Sequence, residues 1–266
     1  MKPFPRKLGI IYGPIRSRRL GLSLGVNLLP STSKLCSFNC RYCQLGWTLT
    51  PSLDPFAGTQ DRPGVRVKDL PTPSEVSVAL EERLEHLYRE GRTVDTITFS
   101  GNGEPTLHPG LGEIILSARS LRDVYFPNAK LAILSNSSTV GKEEVRKALG
   151  RFDLRIMKLD AGDEEAIRRL NQPASPFDLE EVIKGLKALD GVILQSLFVQ
   201  GRVSNVEPAV IESWVDRVGE IKPILVQVYS LDRIPADPGL RKVGRPKLEN
   251  IVRTLWERTG IKAEVY

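Results

Sequence analysis

The chain has few residues that bind metals or form covalent links. Its 266 residues include three cysteines and only two histidines, His86 and His108, which are far from the cysteines in sequence. No run of about 18 apolar residues occurs, so we expect no segment that crosses a membrane. No apolar signal segment follows Met1, which favours a cytoplasmic protein.

All three cysteines fall within one short run, Cys36, Cys40 and Cys43, with the spacing C-x3-C-x2-C. Their odd number argues against a disulfide framework, and a structural zinc site usually needs four protein ligands. Three thiolates can instead bind three irons of one [4Fe–4S] cube and leave the fourth iron open to another ligand. The spacing favours this iron–sulfur site, with zinc as the alternative.

The formal net charge is +6 and the sequence pI is about 9.3. Such a charge favours a polyanionic partner, such as RNA or a phosphorylated substrate, although an ordinary basic surface has the same composition. The basic segments that could bind phosphates are Arg16, Arg18 and Arg19 near the N-terminus and Arg241, Lys242, Arg245 and Lys247 near the C-terminus.

Apolar stretches alternate with helical periodicity along the chain. Strands are expected at about 22–29, 95–100, 130–135, 154–159, 192–199 and 224–229, with helices between them. This order predicts one α/β domain whose parallel sheet, joined by right-handed crossovers, curls into a full or partial barrel. Residues 45–72 lack any period and predict a long loop or lid.

Polar residues cluster where these strands end, the place at which ligands bind in parallel α/β folds. Gly101, Asn102, Gly103 and Glu104 follow the second strand. Their glycines would let the backbone approach a ligand, and the carboxylate suits an ammonium group; a plain strand-to-helix turn is the alternative.

Later strand ends carry further candidates. Ser135 and Asn136 could hold a sugar or a carboxylate, or could cap the next helix. Lys158 and Asp160 share one face of the fourth strand, and a lysine in a barrel mouth is costly unless it is paired or used. Polar residues that would line a pocket or be satisfied in the core are Gln195, Gln227 and Tyr229.

The cysteine run, with Tyr42 before its last cysteine, resembles the cluster motif of the radical S-adenosylmethionine (SAM) superfamily. Residues 101–104 are similar to its Gly-Gly-Glu motif, with Asn102 as a departure, and the agreement in order covers about residues 22–229. The resemblance implies a partial (β/α)6 TIM-like barrel in a single domain, with an N-terminal extension at 1–21 and a C-terminal helix and strand at 230–266. It implies a [4Fe–4S] cluster on the three cysteines and SAM bound by Tyr42, Gly101, Asn102, Gly103, Glu104, Ser135 and Asn136.

A closer resemblance is to the small radical enzymes named after the tRNA wybutosine (4-demethylwyosine) synthases. It rests on Tyr12-Gly13-Pro14, Ser17-Arg18-Arg19-Leu20-Gly21, Gly103-Glu104-Pro105-Thr106 and Lys158-Leu159-Asp160-Ala161-Gly162. True wyosine synthases carry extra N-terminal cysteines for a second cluster, and this chain has none. The resemblance implies an enzyme acting on tRNA or a nucleotide-like molecule, supplied with electrons by a flavodoxin or ferredoxin.

The implied chemistry is reductive cleavage of SAM to a 5′-deoxyadenosyl radical, which takes hydrogen from a substrate. Lys158 and Asp160 are the candidate catalytic residues. Lys158 would form a Schiff base, as a lysine is thought to do in the wyosine synthases, or an ion pair with Asp160 or the cofactor carboxylate. The alternatives are an activase that installs a glycyl radical on a partner protein and a non-catalytic iron–sulfur module.

Overall fold

The computed structural model describes residues 8–31, 33–48, 67–174 and 176–266. Its strands are β1 Ile11–Ser17, β2 Gly21–Val26, β3 Thr96–Phe99, β4 Lys130–Ser135, β5 Leu154–Lys158, β6 Val192–Leu197, β7 Val199–Gly201, β8 Leu225–Tyr229, β9 Leu240–Lys242 and β10 Ala263–Val265. Its α-helices are α1 Pro73–Arg89, α2 Leu111–Tyr125, α3 Glu143–Leu149, α4 Glu164–Asn171, α5 Leu179–Lys187, α6 Pro208–Ile221 and α7 Arg245–Thr259.

One sheet of eight strands organises the domain, in the order β1-β2-β3-β4-β5-β6-β8-β10. All neighbours from β2 to β10 are parallel, and only β1 runs antiparallel, against β2. The six predicted strands are β2, β3, β4, β5, β6 and β8, so the predicted α/β class and its parallel sheet are confirmed. Within the described residues, β1 and β10 are not paired with each other, which leaves the barrel partial.

Helices cover the sheet because each has one apolar face. On α5, Val182, Ile183 and Leu186 are buried on one face. On α6, the indole of Trp214 is fully buried, and its Nε1 atom donates to the Leu159 carbonyl over 3.1 Å. No described helix combines the length and apolar character that crossing a membrane requires.

One part of the chain differs from the sequence-based expectation. Residues 11–17 of the expected N-terminal extension form β1, which is part of the main sheet. Gly13 and Pro14 hide this strand in the sequence, because they interrupt its pattern and coincide with a shift of register. The expected loop at 45–72 stays a prediction over residues 49–66, which lie outside the described part of the chain.

The segment that carries the cysteines follows β2 and docks against the end of β3. Leu35 and Gly103 form a parallel bridge, in which the Glu104 amide donates to the Leu35 carbonyl over 3.0 Å. Gly103 has φ +145°, and a Cβ atom built on it would overlap the Leu35 carbonyl oxygen. A glycine is therefore required for the two segments to lie this close.

We expect Gly103→Ala to lower the free energy of unfolding by about 3 kcal/mol, because the backbone of residue 35 or of residue 103 must move. Urea unfolding measures this change. Gly91→Ala is the matched control, because Gly91 also has positive φ but its Cβ would meet no atom within 4 Å. The control should cost only about 1 kcal/mol; equal costs would contradict the docking role of Gly103.

Candidate active site

The three cysteines lie together in the loop after β2. Cys36 and Cys40 are buried and Cys43 is partly exposed. Side-chain amides from two other elements reach this loop. Asn136, after β4, places Nδ2 3.6 Å from the Cys36 sulfur, and Asn171, the last residue of α4, places Nδ2 3.4 Å from the Cys40 sulfur.

The surroundings of these thiols fit ligands of an iron–sulfur cluster. Burial raises the pKa of Cys36 and raises that of Cys40 to about 11, so both must lose protons when they bind iron. N–H donors at thiolate sulfurs are a normal part of cluster sites and tune the reduction potential. No set of three or more His, Cys, Asp or Glu among the described residues is arranged to hold a single metal ion. In a cluster, each thiolate binds a different iron.

Asp160 connects the cysteine loop to the sheet. Its Oδ2 atom accepts from the Tyr42 hydroxyl and, over 2.8 Å, from Asn171 Nδ2. Its Oδ1 atom accepts from the Leu197 amide over 2.8 Å and lies 3.3 Å from the Lys158 ammonium. This buried carboxylate is therefore paired and hydrogen-bonded, as a charge away from water must be.

The surroundings of the Lys158 side chain favour its ammonium form. Its Nζ atom donates to the Tyr229 hydroxyl over 2.8 Å and lies 4.7 Å from the centroid of the Tyr42 ring. Burial alone would lower the pKa of Lys158, but Asp160 and Tyr229 outweigh it and the pKa is raised. The ion pair with Asp160 is therefore the predicted arrangement that the structure contains.

The ends of β3 and β4 are joined by the Glu104 carboxylate. Its Oε2 atom accepts from the backbone N–H of Asn136 over 2.6 Å. Its Oε1 atom accepts from the backbone N–H of Thr106 over 3.1 Å and from the Thr106 hydroxyl over 2.6 Å. Burial raises the pKa of Glu104, whereas these hydrogen bonds act in the opposite direction. The adjacent Ser135 hydroxyl accepts from the Ser137 amide over 3.1 Å. Glu104 therefore holds the ends of β3 and β4 together. These ends form an edge, called here the strand-end rim, from which Asn136 reaches Cys36.

The glycine-rich turn supports the cysteine loop as well as the rim. The side chain of Asn102 donates through Nδ2 to the Pro30 carbonyl over 2.9 Å. The backbone N–H of Asn102 donates to Asn27 Oδ1 over 3.0 Å. A Cβ atom on Gly101 would overlap the Asn27 side chain. Asn102, the departure from the Gly-Gly-Glu pattern, thus fastens the segment that leads to the cysteines.

Inside the partial barrel lies a cavity of about 330 Å³, called here the inner cavity. It brings together the cysteine loop and several strand ends, and its lining includes Tyr42, Cys43, Gly101, Lys158, Gln195 and Tyr229. Gln195 and Tyr229 thus line a pocket as predicted, while Gln227 accepts from Gln195 over 3.1 Å. A second cavity, of about 440 Å³, lies beside Ser37 and Phe38 and is also lined by α2, α3 and α5.

Sequence reasoning missed Asn171 and Asn205, which both serve Asp160. Asn205 is fully buried, and its Nδ2 atom donates to the Asp160 and Leu197 carbonyls over 2.8 Å each. Neither has a distinctive signal, since Asn171 at a helix end reads as an ordinary cap and Asn205 as a loop residue. Their burial in the folded structure is what identifies them as part of the site.

We expect Asn171→Ala to lower the free energy of unfolding by about 2 kcal/mol, because buried Asp160 loses a donor. We also expect less iron per chain after anaerobic reconstitution. Urea unfolding and an iron assay measure the two effects, with the exposed Asn250→Ala as control. Retention of full stability and iron content by Asn171→Ala would show that this amide does not support the loop.

Comparison with known proteins agrees with this site. A family model described as the radical SAM superfamily matches residues 31–198. The chain is 30% identical over 250 residues to a UPF0026 protein of Methanocaldococcus jannaschii, an alignment that covers 92% of this chain and 70% of that protein.

Solved structures share the fold at low sequence identity. A radical SAM methyltransferase from Sphaerobacter thermophilus superposes with a TM-score of 0.64 at 17% identity, over 92% of this chain and 65% of the methyltransferase. A structure of TYW1 with a bound lysine–pyruvate adduct superposes with a TM-score of 0.59 at 14% identity, over 90% of this chain and 74% of that one. With the family match spanning the cysteine loop and the sheet from β3 to β6, the chain belongs to the radical SAM superfamily, whose members cleave SAM by means of an iron–sulfur cluster.

Proposed function

We propose that this protein is an enzyme that cleaves SAM reductively and abstracts hydrogen from a substrate in the inner cavity. The observation that supports this most is the junction of three thiols, two amide donors to sulfur and a strand-end rim at one edge of a parallel sheet. When bound, the cluster and SAM would together supply a 5′-deoxyadenosyl radical. Cys36, Cys40 and Cys43 would hold the irons.

The strand-end rim would hold SAM beside the cluster. Tyr42 and Gly101 line the inner cavity, and Asn136 lies within reach of Cys36. Glu104 and Ser135 keep the backbone at the ends of β3 and β4 in place, which orients the groups that would meet the amino acid part and the ribose of SAM. The walls of the inner cavity would keep water from the reacting atoms.

Lys158 would serve as a positioned cation rather than as a Schiff-base amine. The TYW1 structure contains a lysine–pyruvate adduct, and formation of such an adduct needs a neutral amine. Here Asp160 at 3.3 Å and Tyr229 at 2.8 Å both favour the charged form. Lys158 would therefore hold negative charge of the substrate or of SAM at the wall of the inner cavity.

The substrate would be RNA or a nucleotide-like molecule, with electrons from a flavodoxin or ferredoxin. The net charge of +6 supports a polyanionic partner. The two basic segments meet at Asp232, whose carboxylate binds both Arg18 and, over 3.0 Å, Lys242. Arg245, by contrast, pairs with Glu249 over 2.8 Å on the surface of α7.

We expect the anaerobically reconstituted and reduced wild-type protein to form 5′-deoxyadenosine from SAM. Cys40→Ala should reduce this formation at least about a thousandfold, because one iron loses its ligand. Chromatography with mass spectrometry measures the product, and iron analysis measures cluster content. A wild-type protein that holds four irons and forms no 5′-deoxyadenosine would support the non-catalytic module instead. Co-purification of tRNA would support an RNA substrate, whereas co-purification of a large protein would support the activase.

We expect borohydride treatment of the protein with pyruvate to leave Lys158 unmodified, because its amine is protonated beside Asp160. Peptide mass spectrometry locates any adduct. Lys158→Arg should retain 5′-deoxyadenosine formation within about tenfold, since it keeps the cation, whereas Lys158→Met should lose more. A reduced pyruvate adduct at Lys158 would show that the amine acts as a nucleophile.

A further inference from the structure

We propose that the inner cavity binds an anionic group of the substrate, a carboxylate or a phosphate, through the guanidinium of Arg19. This inference rests on the proposed function, because it places the substrate in the cavity beside the cluster loop. It divides the N-terminal basic segment into a residue that binds ligand, Arg19, and a surface residue, Arg18.

Arg19 reaches the inner cavity because the turn between β1 and β2 extends toward the opposite edge of the open sheet. The Cζ atom of Arg19 lies 4.7 Å from the ring centroid of Tyr229, at the end of β8, and 5.3 Å from that of Tyr266, which follows β10. Its neighbour Arg18 pairs with Asp232 on the exposed side. The turn thus spans the gap between β1 and β10, and Arg19 lines the inner cavity there.

One atom of this guanidinium lacks a hydrogen-bond partner. Among the described residues, the buried side-chain nitrogen and oxygen atoms without a partner are Arg19 Nη1 and Arg155 Nε. A buried charged donor without an acceptor is costly, and Arg19 stands at the wall of a cavity. An oxygen of a bound ligand would supply the missing acceptor.

The charges around the inner cavity favour an anion. Arg233, which also lines the cavity, donates to Gln44 Oε1 over 3.0 Å. Arg19 and Lys158 contribute two further cations, against the carboxylate of Asp232. That carboxylate is already bound by Arg18 and Lys242, outside the cavity lining. The charge of Lys158 is balanced in part by Asp160, so the unbalanced positive charge lies toward Arg19.

Hydroxyl groups in the lining of the inner cavity can also donate to oxygen anions. The Tyr12 hydroxyl and the Ser100 hydroxyl are 2.7 Å apart, and both residues line the inner cavity. A guanidinium presents two parallel N–H donors, which match the two oxygens of a carboxylate or of a phosphate. The aromatic faces of Tyr229 and Tyr266 hold the guanidinium plane in place.

The test titrates anions into the full-length, anaerobically reconstituted protein by calorimetry, with SAM already bound. The probes are inorganic phosphate, pyruvate and the neutral pyruvamide. We expect the wild type to bind at least one anion and not pyruvamide. We expect Arg19→Gln to weaken that binding by about tenfold or more, the usual effect of losing a charged hydrogen bond. Arg16→Gln is the matched control, because Arg16 is an exposed residue of β1 outside the lining of the inner cavity, and it should bind as the wild type does.

The outcomes separate the anion site from the proposed function. A SAM titration of the same variants should give unchanged SAM affinity in Arg19→Gln; a loss there assigns Arg19 to the SAM carboxylate and overturns the proposal. No binding of either anion, or equal weakening by Arg16→Gln, also overturns it. If Arg19→Gln unfolds, Arg19→Lys is used instead. It keeps the positive charge but not the two parallel N–H donors, and it should bind the anion with intermediate affinity. Failure of the wild type to form 5′-deoxyadenosine refutes the proposed function. The anion titration does not depend on that reaction and still decides whether Arg19 binds an anion.

Discussion

The site depends on the contact between the cysteine loop and the end of β3. The Leu35 carbonyl accepts from the Glu104 amide, and Gly103 faces it where any side chain would collide. This contact orders the loop that carries the three thiols, and it places Glu104 so that its carboxylate reaches the Asn136 amide on the next strand end. Asn136 then contacts Cys36, so one backbone bridge aligns thiol, rim and sheet.

A second constraint is the burial of charge around Asp160. Its carboxylate accepts from Tyr42, Asn171 and the Leu197 amide and pairs with Lys158. Because an uncompensated buried charge is very costly, these groups must be assembled together. The same network links the cysteine loop, α4 and the ends of β5 and β6. Lys158 is thus both a structural cation and part of the wall of the inner cavity.

The sequence predicted much of the fold, since regular periodicity survives in each core element. The bounds of β4 match the expected range, and those of β5 and β8 differ from theirs by one residue. The strand β1 was not predicted, because Gly13 and Pro14 break its pattern and its partner β2 supplies the pairing. The roles of Asn171 and Asn205 were also hidden, because an asparagine acquires its function from the groups that fold around it.

The sequence by itself determined the family and the order of the elements. The spacing of Cys36, Cys40 and Cys43 is local, and the polar residues at strand ends follow from the alternation of strands and helices. Only the tertiary structure decided which charges are paired and which face the inner cavity. Arg18 and Arg19 are adjacent in sequence, yet one pairs with Asp232 on the surface and the other stacks on Tyr229 inside. That division arises because the two edges of an open sheet approach each other in space, which no local pattern encodes.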